Sequence, residues 1–170
     1  MPDHAKNDPY YRELRNIVLP DAEKQPDRSL AIVFAAVVED HLSQGIKAHL
    51  VDHKRTASAL FTGMGPLATF SAKIDLGLLM GFYREDFANV LHALRRIRNT
   101  FAHDMRPLTF ESQEIKAKAT AFEFVDTLLQ RRKRPDGREQ FLGSCKFVIG
   151  ALSALSADAA RPKIPRKRKL

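Results

Sequence analysis

The chain of 170 residues holds a single cysteine, Cys145. One thiol cannot close an internal disulfide, and it excludes a zinc site built on several cysteines. No unbroken apolar run approaches the roughly 18 to 20 residues of a membrane span. The opening Met1-Pro2-Asp3-His4-Ala5-Lys6 lacks the basic head and apolar core of a secretory signal. These absences give the expectation of a soluble cytoplasmic protein that does not associate with a membrane. Sustained strand alternation is also missing, as is any internal repeat. Gly63-Met64-Gly65 has neither the lysine nor the spacing of a phosphate loop. Ser71 and Ser144 have no triad context.

Acidic residues are missing from one place in particular. The last ten residues, Arg161 to Leu170, carry six basic groups and no acid. Arg131, Arg132, Lys133 and Arg134 add four more in one loop. Together these exceed the whole formal charge of +8, so the body is close to neutral and the high pI comes from a tail and a loop. A basic tail attracts nucleic acid or an acidic surface at moderate salt. A solvated, disordered end that only keeps the chain soluble fits the same composition. Arg166, Lys167, Arg168 and Lys169 of the tail, with Arg95 and Arg96, are the candidate nucleic-acid or partner contacts.

What is present is helical periodicity. A hydrophobic fraction of 44% and this length suit one domain with a real core. Residues 1–26, with four prolines, read as a loose arm containing a short helical piece near Tyr10 to Val18. Residues 27–160 form the helical domain, and 161–170 a disordered basic tail. Asp27 is placed to cap a helix through about Leu50, with Leu30, Val33, Phe34, Val37, Val38, Leu42 and Ile46 as its apolar positions. A short segment ends at Phe61. Pro66 suits the first position of a helix over about 66–82, where the small residues Ser71, Gly77 and Gly81 would let another helix approach. Further helices are expected over about 84–101, 111–132 and 138–158. The fold class is all-α: a single bundle of about five main helices.

The richest chemistry lies in Arg95-Arg96-Ile97-Arg98-Asn99-Thr100-Phe101-Ala102-His103-Asp104. An arginine, an amide and a histidine titrating near neutral pH are the parts of a phosphate site. On a helical wheel Arg98 falls inside the apolar arc, where a guanidinium needs an anionic or carbonyl partner. Glu39, Asp40 and Asp75 are the acids within reach of an architectural role, with His103 then capping its helix. In the functional role Arg98 holds a phosphodiester and His103 moves the proton of a ribose 2′-hydroxyl. His103 lies about 140° from Arg98 on an unbroken helix. The two converge only if the helix loosens near Ala102 or a second copy supplies the partner. Asn99 and His103, one turn apart, can hydrogen-bond. His41, His49 and His53, near Asp40 and Asp52, lack a third ligand at a specific spacing. No metal and no cofactor is expected.

Three stretches carry a resemblance: Gly65 to Ile74, Leu78 to Tyr83, and Ile97 to His103. The chain resembles the mannitol operon repressor family over roughly residues 30 to 130, most specifically over 65 to 103. That resemblance implies a compact helical bacterial regulator of transcription, acting as a dimer through a protein partner and without a standard DNA-reading element. Arg98, Asn99 and His103 also look like the Arg-x4-6-His motif of the HEPN superfamily. This second resemblance implies a metal-independent endoribonuclease site shared by two subunits. The sequence leaves both open, and with them whether the chain is an enzyme.

Overall fold

A computed structural model of the chain describes residues 16, 18–131, 135–157 and 159. Eight α-helices form the described part. They are α1 (Leu19–Ala22), α2 (Asp27–Ala48), α3 (Lys54–Phe61), α4 (Phe70–Leu79), α5 (Glu85–His103), α6 (Gln113–Lys118), α7 (Glu123–Leu128) and α8 (Gly137–Ala157), with a 3₁₀ turn, Thr120–Phe122, between α6 and α7. No strand occurs among the described residues. The fold is the all-α bundle expected, with more helices than about five because several are short. The segment near Tyr10 to Val18 and the tail 161–170 lie almost wholly outside the described residues.

Helix α2 is the axis of the bundle. Its apolar positions surround it on most sides, and Leu30, Ala31, Phe34, Val38, Leu42 and Ile46 are wholly buried. Among the described residues it is the one helix long and apolar enough to cross a membrane, counted over a window rather than an unbroken run. Of that window, 61% is buried inside the bundle, which is where a core helix gets such a composition. Helix α8 packs along α2 through Phe141, Cys145, Val148 and Leu152, all fully buried. Helix α5 contributes Val90, Leu91, Leu94, Ile97 and Phe101. A run of ring contacts, Phe101–Phe110–Phe141–Phe122, fills the end near the start of α2.

Two arginines close that end. Arg28, in the first turn of α2, donates to the carbonyls of Phe101, Asp104 (2.8 Å) and Arg106 (2.8 Å). The last carbonyls of a helix have no partner within it, so one guanidinium terminates α5 and ties it to α2. Arg138 does the same for the chain entering α2. It pairs with Asp27 and donates to the carbonyls of Glu23 and Gln25, both at 2.7 Å. Asp27 therefore does not cap its own helix. Pro26 holds the cap position, and the second carboxylate oxygen of Asp27 accepts from the Phe110 N–H at 2.9 Å.

Helix α4 begins later than Pro66, because Thr69 caps it, its hydroxyl accepting from the Ala72 N–H at 3.2 Å. It ends where Gly81 takes φ +72° and the Phe82 N–H returns to the Gly77 carbonyl at 3.1 Å. The atoms nearest to Gly77 belong to Tyr83 rather than to another helix. Tyr83 of the same chain lies on it and donates to the Ile74 carbonyl at 2.9 Å. A Cβ on Gly77 would come within 2.3 Å of that hydroxyl.

The single helix expected over 111–132 is split. Phe122 and Val125 are fully buried, and the backbone tightens to a 3₁₀ turn to carry them around α5. Leu128 and Leu129, at the end of the same apolar pattern, are left half-exposed.

Arg28→Ala leaves three carbonyls without their charged donor and is expected to lower stability by about 2–4 kcal/mol. Arg28→Lys should recover only part of this, since an ammonium cannot reproduce the guanidinium fork. Urea unfolding of both variants measures it.

Candidate functional site

Arg98 projects from α5 toward α2. One oxygen of Glu39 accepts from its guanidinium at 3.4 Å, and the other meets the Lys73 ammonium of α4 at 2.7 Å. One carboxylate thus joins α2, α4 and α5. Lys73 is the most buried of the three side chains at 9% exposure, against 22% for Glu39 and 32% for Arg98. The short bond belongs to Lys73, which has little access to water to replace it. Arg98 holds the longer bond and keeps a third of its surface in solvent.

Helix α5 runs unbroken through His103, so Arg98 and His103 diverge within one chain. His103 is exposed in the last helical turn, and no hydrogen bond joins its ring to Asn99. Nor does it close the helix, because Arg28 serves the terminal carbonyls. Arg98, Asn99 and His103 are therefore neighbours in sequence that one protomer does not assemble around a common point.

Arg95 and Arg96 part in the same way. Arg96 is exposed, beside a shallow depression it shares with Asp86, Asn89 and Phe124. Arg95 is partly buried, with its Nε enclosed and without a hydrogen-bond partner among the described residues. His92, one turn earlier, lies 3.4 Å from Asp75 of α4. Burial holds the His92 pKa below its ordinary value, with Arg95 and Arg96 adding to the shift and Asp75 opposing it. This side of α5 is locally cationic. Arg166, Lys167, Arg168 and Lys169 lie outside the described residues.

The other described histidines each have separate work. His41 is buried and bonds the Val37 carbonyl at 2.8 Å through Nδ1. His49 bonds the Gly45 carbonyl at 2.9 Å and packs against the Phe82 ring. His53 caps α3, accepting from the Thr56 N–H. No three His, Cys, Asp or Glu side chains gather as metal ligands among the described residues. Burial raises the Cys145 thiol well above its usual range, so it stays protonated and behaves as an apolar core residue.

Sequence reasoning missed the Asp104–Arg106–Glu114 cluster. Arg106 bonds Asp104 at 2.5 Å and Glu114 at 2.6 Å, and holds the Asp104 carboxyl down at about 2. Contacts this local set the path of the 104–112 loop and leave no periodic signal. Met105, within that loop, is 91% exposed.

The ion-pair geometry predicts unequal effects. Glu39→Ala strands the buried Lys73 ammonium and should cost about 3 kcal/mol. Arg98→Ala removes a longer, half-solvated contact and should cost about 1 kcal/mol. Chemical denaturation of the two variants side by side measures the difference. A pH series tests His41, whose pKa burial lowers beneath 6.5 against weaker opposing effects of the Val37 carbonyl and Asp40. The unfolded chain then takes up the proton first as pH falls through 6.5. His41 should therefore add no penalty above that pH and a growing one below it, and His41→Asn should flatten this part of the stability profile.

Neither a scan against protein-family models nor a search of curated proteins finds a match. Among solved structures, the chain is similar to one in the X-ray structure of the MtlR-HPr complex from Escherichia coli, with a TM-score of 0.62 and 18% identity. The likeness covers 82% of this chain and 98% of that one. At this identity it is a likeness of fold, and the fold is mannitol-repressor-like.

Proposed function

We propose that the chain is a cytoplasmic regulator of the mannitol-repressor type that acts by binding another protein, as a dimer. The observation that carries this reading is the match of its bundle to nearly the whole of a chain found in a complex of MtlR with HPr. The residues at 65–103 that carry the sequence resemblance lie on α4, α5 and the turns that lead into and join them. The surface also offers apolar side chains with nothing packed on them. Met64, Leu79 and Met105 are each 86% exposed or more. Side chains of this kind at full exposure are suited to contact with a partner when they fall within one patch. The basic tail gives a weaker, salt-dependent affinity for nucleic acid.

The endoribonuclease reading has less support. Arg98, which would hold the phosphodiester, already meets Glu39, and His103 lies on another side of the helix. It needs a second copy to complete the site.

Calorimetry with the purified chain and purified HPr from the same organism tests the proposal, together with sedimentation of the chain alone. The expected result is a defined complex and a dimer. A monomer that binds no HPr at physiological salt contradicts it. Cleavage of single-stranded RNA in EDTA, abolished by His103→Ala in a folded protein, would favour the ribonuclease instead.

A further inference from the structure

Helix α3 stands apart from the rest of the bundle. Of its residues only Phe61 is buried, while Lys54, Arg55, Thr56, Ser58 and Ala59 are exposed. No other helix packs along it among the described residues. Phe61 enters the edge of the core, with the Lys47 ammonium of α2 5.0 Å from its ring centre, and Leu60 is partly buried against the same core. A helix this short does not hold its form alone and depends on burial. Here that burial comes mainly from one ring.

The segment nevertheless closes on itself. The Thr62 N–H donates to the Ser58 carbonyl at 3.1 Å, the Gly65 N–H to Thr62 at 3.0 Å, the Leu67 N–H to Leu60 at 2.9 Å and the Ala68 N–H to Gly65 at 3.0 Å. Gly65 lies so close under the last turn of α3 that a Cβ there would run into the carbonyl oxygens of Ala59 and Leu60. Residues 53–68 thus have their own hydrogen bonds and one deep anchor. A unit of this kind opens at a much lower free-energy cost than the whole fold.

Its start carries a proton-sensitive cap. His53 Nδ1 accepts from the Thr56 N–H at 3.3 Å and lies 2.8 Å from the Thr56 hydroxyl. That nitrogen accepts only while it is unprotonated. An imidazolium can still donate to the hydroxyl, but it no longer serves the backbone N–H. Lys54 and Arg55 already set two positive charges against the positive end of the helix dipole, and a proton on His53 adds a third. Asp52, immediately before the ring, is the adjoining acid and offsets one of them.

We infer that residues 53–68 are a flap that comes away from the bundle and loses its helix in one step while the core stays folded, and that protonation of His53 raises the fraction open. Opening withdraws Phe61, Leu60 and Leu67 from the core surface they cover and carries with it Met64, fully exposed in the turn after α3. The flap is a pH-sensitive element of the fold and does not depend on the partner-binding reading.

Hydrogen exchange of the full chain, followed by NMR at pH 7.5 and 5.5 and divided by the intrinsic rate at each pH, tests this. The amides of 57–62 should share one protection, about a hundredfold below that of the buried Leu42 and Leu94. Between pH 7.5 and 5.5 histidine gains its charge, and the shared protection should fall about fivefold more, the worth of a helix cap. His53→Asp keeps an ionised acceptor at both pH values, so protection should rise and the pH step should vanish. Gly65→Ala should abolish the protection of 57–62 and leave Leu42 and Leu94 protected. Four results would each overturn the inference: amides of 57–62 as slow as the core, unrelated rates from one residue to the next, the same pH step in folded His53→Asp, or a Gly65→Ala chain that unfolds throughout.

Discussion

One carboxylate determines how the centre of this molecule is built. Glu39 leaves the axial helix α2 and takes Lys73 of α4 on one oxygen and Arg98 of α5 on the other. Three helices that hydrophobic burial alone would pack in several rotational settings are fixed against one another by two directed bonds. Lys73 supplies the stronger constraint, because its ammonium is nearly sealed from water and has no alternative partner in solvent. Arg28 and Arg138 perform a corresponding task at the end of the bundle, where guanidinium forks reach backbone carbonyls from α5 and from the chain entering α2. The apolar core provides the driving force, and these few polar contacts set the arrangement.

That arrangement bears on the motif on α5. Arg98 and His103 are residue types that a phosphate-handling site uses, yet the guanidinium has an intramolecular anion and the imidazole lies elsewhere on an unbroken helix. Within one chain Arg98 belongs to a packed junction beside a cationic flank, and His103 is exposed in the last turn of α5.

Much of the fold was legible in the sequence, because helical periodicity is a local property. The expected helices at 27–50, 84–101 and 138–158 fall within a few residues of α2, α5 and α8. Leu30, Phe34, Leu42, Ile97 and Phe141 face inward as the pattern requires. Thr69 prevailed over Pro66 as the start of α4 because its hydroxyl bonds the orphan Ala72 N–H, whereas a proline only avoids needing a partner. The split at Ala119 was not legible, since Ile115, Ala119, Phe122 and Val125 share one helical face. Only the shape of α5 beneath them decides that the helix must bend. The arginine clasps left no signal either, because a backbone carbonyl is available at every position. The Glu39–Arg98 pair was half legible. Burial of the guanidinium required a partner, but the sequence did not choose among Glu39, Asp40 and Asp75.

The most direct measurement is a double-mutant cycle between Glu39→Gln and Lys73→Met, read by equilibrium unfolding of the four proteins. A junction held by that carboxylate predicts a coupling of about 1–3 kcal/mol between the two sites. Additive effects, with no coupling beyond a few tenths of a kcal/mol, would show that Glu39 does not hold α2 to α4, and the account of how the bundle is set would fail.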